Sequence, residues 1–224
     1  MLFRSVSLAG CGGSAKEGGA VSESGEKAEK TEQSAGEKKV LKLSHNFLST
    51  QPLHKALVDV AKNIEERTNG EIVIEIYENA QIANGVDGAE QCVRGADLIN
   101  VYDASCMGDW VPDYNALVGP FLFDSQDEYV EFCKGDWAQS LNAKAEEQGI
   151  KVLALDYCFG FRHIGTTKKT IETLDDMKGF KIRVPKSTVW VETFKALGAS
   201  PTAMGWSEIY NGLKTNMILS LIHI

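Results

Sequence analysis

The sequence predicts an α/β protein built as two lobes with a cleft between them. Three observations carry this. Short apolar strands alternate with amphipathic helices over residues 40–102, helical residues 128–149 then carry the chain across, and a second strand–helix alternation starts near Arg162. A strand–helix–strand–helix–strand order calls for a mainly parallel sheet with helices on both sides.

The elements follow in order. Residues 40–45 alternate apolar and polar side chains and read as a first strand. Pro52 opens a helix at a tolerated position, with Leu53, Leu57, Val60, Ala61 and Ile64 as its buried stripe. Asn69 and Gly70 close it, because both accept a left-handed conformation. Residues 71–77 form the next strand, with Ile72, Ile74 and Ile76 on one face. A helix through Glu90 and Arg94 stops at Gly95, and residues 97–102 form a third strand. Residues 150–156 read as another strand and 164–167 as a short one. Thr173 to Asp176 has capping-box character. Lys181-Ile182-Arg183-Val184-Pro185 is a short strand closed by proline, and Ser187 then caps a helix through Val191, Phe194 and Leu197 that ends at Gly198.

Bulk properties narrow the function classes. The 224 residues suffice for one or two domains, and 43% hydrophobic content is ordinary for a globular chain. A formal charge of −8 argues against a nucleic-acid partner but not against a small anion, because a pocket can be locally positive on an acidic protein. No apolar run of about 18 residues is present, so no helical membrane span is expected. Cys92, Cys106, Cys133 and Cys158 form no Cys-x-x-Cys pair and read as small buried hydrophobes, with a disulfide among them left open. The sequence has no nucleophile elbow, no His-Glu-x-x-His and no phosphate- or dinucleotide-binding glycine loop. No catalytic residue, metal site or cofactor is therefore expected.

The two ends differ from the middle. Leu8-Ala9-Gly10-Cys11 has the small-residue pattern of a lipoprotein cleavage site, so residues 1–11 read as a partial lipoprotein signal with Cys11 as the lipidation site. Residues 12–39 are rich in Gly, Ser, Ala, Glu and Lys and lack aromatics, and they read as a disordered linker. The predicted organisation continues with a first lobe over 40–160, the start of a second over 161–218, and a non-native tail over 219–224.

Arg183 alternates with Ile182 and Val184 and so points away from the face they bury. An arginine in such a place is commonly solvated or in a structural ion pair. Arg162, in Phe161-Arg162-His163-Ile164-Gly165, has a similar setting. Two guanidinium groups near strand ends can converge on an anion, with planar forks that fit a carboxylate.

A series of segments in order adds to this: Asn69-Gly70, Pro112-Asp113-Tyr114, Pro120-Phe121-Leu122-Phe123, Gly160-Phe161-Arg162-His163, the run from Leu174 to Pro185, Ala196-Leu197-Gly198-Ala199-Ser200-Pro201 and Trp206-Ser207-Glu208-Ile209-Tyr210. Across residues 40–218 this series resembles the solute-binding proteins of TRAP transporters, the tripartite ATP-independent periplasmic transporters. The resemblance implies a two-lobed periplasmic-binding-protein-like fold whose second lobe is incomplete in this chain. It also implies a receptor that captures a small organic acid outside the cytoplasm and delivers it to ion-gradient-driven TRAP membrane permease subunits.

By the same resemblance Arg183 is the main partner of the solute carboxylate, Arg162 a second contact, Asn216 a further amide donor and Trp206 a wall of the pocket. Glu90 matches a glutamate on an early helix, placed either at the solute or at solvent. Asn100, Tyr102 and Asp103 end the third strand as candidate first-lobe pocket residues. His45 either faces the cleft or serves as a structural histidine. The alternatives are a receptor of the same fold feeding a sensor, and a secreted α/β hydrolase.

Overall fold

A computed structural model describes residues 38–158, 160–167 and 170–223. The chain divides into Met1–Ser34 and Ala35–Ile224, and every described residue lies in the second unit. The expectations for Cys11 and for most of the linker lie outside the described residues.

The first lobe is a three-stranded parallel sheet in the order β2-β1-β3, formed by β1 (Lys39–Ser44), β2 (Ile72–Tyr77) and β3 (Leu98–Asn100). Its register sets Leu43 opposite Ile76 on one side and Ile99 on the other. Helix α1 (Pro52–Arg67) packs on β2, and α2 (Gly85–Val93) packs on β3. Pro52 stands in the first turn of α1, where its missing N–H costs nothing. Asn69 and Gly70 close the helix at φ 50° and 82°, and the Gly70 N–H reaches back to the Glu65 carbonyl at 2.8 Å.

The stripe read on α1 is partly wrong. Leu57 is buried, but Val60 is 41% exposed. The helix leans on the sheet along a narrower line than its apolar residues would allow.

Beyond β3, two 3-10 helices (Ala104–Met107 and Pro112–Val118) lead to α3 (Gln126–Lys134) and α4 (Asp136–Glu147). Cys106, Met107, Tyr114, Leu117, Leu141 and Ala145 form a core of this lobe with Ala89 of α2. The strand expected over 150–156 is not there. Ile150, Val152 and Leu155 do pack on this core, which accounts for their apolar pattern. Among the described residues the segment joins no ladder, and the Leu155 carbonyl instead accepts from the Tyr129 hydroxyl at 2.8 Å.

The second lobe holds a four-stranded sheet in the order β4-β7-β5-β6: β4 (His163–Thr166), β5 (Lys181–Val184), β6 (Ser200–Ala203) and β7 (Ser220–His223). β5 pairs in parallel with β6 and β7, while β4 runs antiparallel to β7. The Thr173 N–H donates to the Asp176 carboxylate at 3.0 Å, so the expected box forms at the 3-10 helix Leu174–Met177. Helix α5 (Thr188–Ala196) buries Trp190 and Phe194 against Ile182, Val184 and Ile222. Helix α6 (Ile209–Lys214) brings Ile209 to Met204 and Ile218. β7 lies within the segment read as a non-native tail. Its ladder bonds come from the backbone, so they form whatever the origin of these residues.

Among the described residues Cys92, Cys106, Cys133 and Cys158 are free thiols, with Cys106 and Cys133 buried. Among the described residues no helix is long and apolar enough to cross a membrane, and no cluster of side chains could hold a metal ion.

Candidate functional site

In open α/β sheets, ligands bind beyond the carboxyl ends of the strands. A cleft of about 580 Å³ lies there, between the two sheets. Asn46 and Phe47 follow β1, Tyr102 and Asp103 follow β3, Pro185 follows β5 and Trp206 follows β6, and all six line it. The volume falls in the range of roughly 300–1,000 Å³ usual for small-molecule sites. A smaller hollow of about 380 Å³ adjoins it and shares Asn46, Tyr102 and Trp206.

Arg183 is the centre of the cleft's chemistry. Alternation along β5 buries Ile182 and Val184 in the lobe core and turns Arg183 to the opposite face. It is only 3% exposed. Its Nε donates to the Met204 carbonyl at 2.9 Å, and its guanidinium carbon lies 5.8 Å from the Trp206 ring centroid. The Met204 bond occupies Nε, the Tyr102 phenol is a second neutral hydrogen-bond partner, and the terminal nitrogens form the fork that can meet an incoming anion. Among the described residues no carboxylate lies within ion-pair distance of it. Burial lowers its pKa from the usual value, while Tyr102 and Asp103 favour its charge. An arginine nevertheless stays cationic.

Arg162 is held differently. Its Nη2 donates to Asp103 Oδ2 at 2.9 Å, and its guanidinium carbon lies 4.7 Å from the Trp190 ring centroid. Asp103 belongs to the first lobe and Trp190 to the second, so Arg162 ties the lobes together at the cleft. Asp103 Oδ1 also accepts from the Ser105 N–H at 3.0 Å and from the Ser105 hydroxyl. Ser187 was expected to cap α5 with its side chain. It occupies the cap position, but its hydroxyl donates to the Ser105 carbonyl at 3.5 Å in the first lobe.

Tyr102 supplies a phenol at the cleft. Burial, reinforced by Asp103, pushes its pKa up to about 12, so it is a neutral donor at physiological pH. Trp206 lines the cleft beside Arg183. The remaining sequence candidates lie elsewhere. Asn100 clasps the start of α2: its Oδ1 accepts from Gly85 N–H at 3.1 Å and its Nδ2 donates to Gly85 O at 2.9 Å. Gly88 makes room for this clasp, because a Cβ there would come within 2.4 Å of Asn100 Oδ1. Glu90 pairs with Arg94 on the exposed face of α2. Asn216 is an exposed residue at φ 56° between α6 and β7, outside the lining of either hollow.

His45 is wholly buried. Its Nδ1 accepts the Phe47 N–H at 3.1 Å, so its Nε2 carries the proton and donates to His54 Nδ1 at 3.1 Å. Burial first and His54 second lower its pKa. It is a structural histidine that holds the turn carrying Asn46 and Phe47 into the cleft. Sequence reasoning missed Phe47, Asp156 and Tyr157 as lining residues, together with the Asp103–Arg162 pair. The Asp-x-Ser spacing of Asp103 and Ser105, which favours a side-chain turn, was a usable signal for the fixing of Asp103 but not for its partner Arg162.

The chain is similar to several known proteins. A TRAP periplasmic solute binding protein from Desulfovibrio salexigens, solved with diglycerolphosphate, is 43% identical with a TM-score of 0.79; the match covers 83% of this chain and 59% of that one. One from Fusobacterium nucleatum with bound sn-glycerol-3-phosphate is 41% identical with a TM-score of 0.79, covering 83% and 60%. One from Actinobacillus succinogenes with bound L-galactonate is 29% identical with a TM-score of 0.79, covering 83% and 61%. The chain spans about half the length of the curated relatives it matches. The model of the DctP family, described as bacterial extracellular solute-binding protein, family 7, matches residues 43–218. With more than half of its length matched and its two-lobed α/β fold shared with TRAP periplasmic binding proteins, the chain belongs to the DctP family of extracellular solute-binding proteins.

Proposed function

We propose that this protein is an extracytoplasmic receptor that captures a small hydroxylated organic acid between its lobes, with Arg183 as the principal partner of the acid group. One observation carries the reading. Arg183 is a cation 3% exposed in the cleft wall, with no carboxylate within ion-pair distance among the described residues. A buried charge without a counter-ion is costly, and an anionic ligand removes that cost. Arg162 is the second contact, Tyr102 a neutral donor and Trp206 the wall. The ligand must bind the closed lobes better than the open ones for closure to follow capture.

Delivery to ion-gradient-driven TRAP permease subunits and anchoring through a lipid on Cys11 complete the proposed role. The relatives, which are TRAP periplasmic solute binding proteins, support the first. The Leu8-Ala9-Gly10-Cys11 pattern supports the second.

The acid group itself has two readings. A carboxylate fits the planar fork and matches the L-galactonate of the 29% identical relative. A phosphate ester is favoured by the relatives at 41% and 43% identity, both solved with glycerol phosphates. Calorimetric titration with L-galactonate, D-galacturonate, diglycerolphosphate and sn-glycerol-3-phosphate tests both. Stoichiometric binding of at least one, weakened by Arg183→Lys, is expected. No binding across the panel, or binding indifferent to Arg183→Lys, contradicts the proposal.

A further inference from the structure

Asp103 makes the two arginines of the cleft unequal. Its side chain is 8% exposed and lines the cleft. Three donors hold it: the Ser105 N–H and hydroxyl on Oδ1, and Arg162 Nη2 on Oδ2. It therefore cannot swing away when a ligand arrives. Its field also reaches the Tyr102 phenol and the Arg183 guanidinium.

Of the charged residues that line the cleft, Arg183, Arg162 and Asp103 are largely withdrawn from solvent and make up its inner site. Asp156 also lines the cleft, but it is exposed and screened by solvent. The inner site thus carries one net positive charge. Charges out of water interact far more strongly than charges in it, so this inventory matters for a ligand enclosed there.

We propose that Asp103 is a specificity-determining residue that sets the cleft to prefer singly charged anions over doubly charged ones. A monoanion brings the inner site to neutrality. A dianion leaves a surplus negative charge beside a fixed, buried carboxylate, and like charges so placed discriminate between partners. The inference rests on the anion-receptor reading and adds the charge class of the ligand to it.

The test uses the full 224-residue chain and a matched pair. L-Galactonate and galactarate share a six-carbon polyol chain but carry one and two carboxylates. The wild type is expected to bind galactonate about tenfold more tightly or better, and Asp103→Asn to shrink or invert that ratio by about tenfold. Asparagine keeps the shape and the acceptor for Ser105. A wild type that prefers galactarate, or a folded variant with an unchanged ratio, overturns the proposal.

A second measurement needs no mutation. The second ionisation of a phosphate monoester lies near about pH 6, so sn-glycerol-3-phosphate is mostly singly charged at roughly pH 5 and doubly charged at roughly pH 7.5. Its affinity, taken relative to diglycerolphosphate, whose charge is constant over that range, is expected to rise at the lower pH. Equal or weaker relative binding there overturns the proposal. Failure of the wild type to bind any of these four anions overturns the receptor reading itself, which separates the two failures.

Discussion

Arg183 and Arg162 face the same cleft in opposite electrostatic settings. Arg183 is deeper and is bonded to neutral groups, the Met204 carbonyl and the Tyr102 phenol, with the Trp206 ring beside it. Arg162 is shallower, 22% exposed at its side chain, yet it is paired with a buried carboxylate of the other lobe. The β5 wall of the cleft is therefore unbalanced without ligand, whereas the Arg162–Asp103 side is already neutral. One arginine awaits an anion while the other joins the lobes.

Substitutions separate the two roles. The largest effect is expected from Arg183→Lys, which keeps the charge but loses the fork. Hydrogen bonds to charged groups are worth about 1.5–3 kcal/mol, so the affinity for the best acid should fall roughly ten- to a hundredfold by calorimetry. Next comes Arg162→Met. It strands the Asp103 carboxylate and should lower unfolding stability by about 1–3 kcal/mol, less than for a fully buried pair because Arg162 is partly exposed. Arg183→Met should move the other way: it removes a buried charge and leaves only neutral partners behind, so the ligand-free protein should melt at the same temperature or higher. Equal destabilisation by both methionine variants would dissolve the contrast.

The smallest effect is expected behind Phe47. The folded pKa of His45 lies below the usual 6.5, so the unfolded chain binds more protons as pH falls through that value. The contribution of neutral His45 to stability is complete above about pH 6.5 and declines below it, toward the folded pKa. Melting at about pH 7.5 and 5.5 should show a drop that His45→Asn reduces. A variant with the slope of the wild type would remove His45 from this account.

Much of the architecture was readable because periodicity reports burial. The alternation of Ile72, Ile74 and Ile76 and the Pro52 and Asn69-Gly70 punctuation located β2 and α1 closely. The same signal misled at 150–156, since alternation shows that side chains are buried but not that a neighbouring strand exists to pair with. Val60 failed for a related reason: an apolar residue on the right face is buried only if something covers it.

In the site, Arg183, Arg162, Trp206 and Tyr102 converge as expected, because strand ends fix their positions. Asn100, Glu90 and Asn216 do not line the cleft, since position along the chain leaves side-chain partners undetermined. The clasp of Asn100 on Gly85 depends on the packing of α2 on β3, and the pairing of Asp103 with Arg162 spans 59 residues of chain. Neither is a local pattern.

The central claim is that Arg183 is the unbalanced cation that receives the anion. The most direct test is a crystal structure of the chain with L-galactonate or diglycerolphosphate. The account predicts the carboxylate or phosphate against the terminal nitrogens of Arg183, beside Trp206, with the Asp103–Arg162 pair intact. An acid group bound elsewhere in the cleft, with Arg183 making no contact to it, would contradict it.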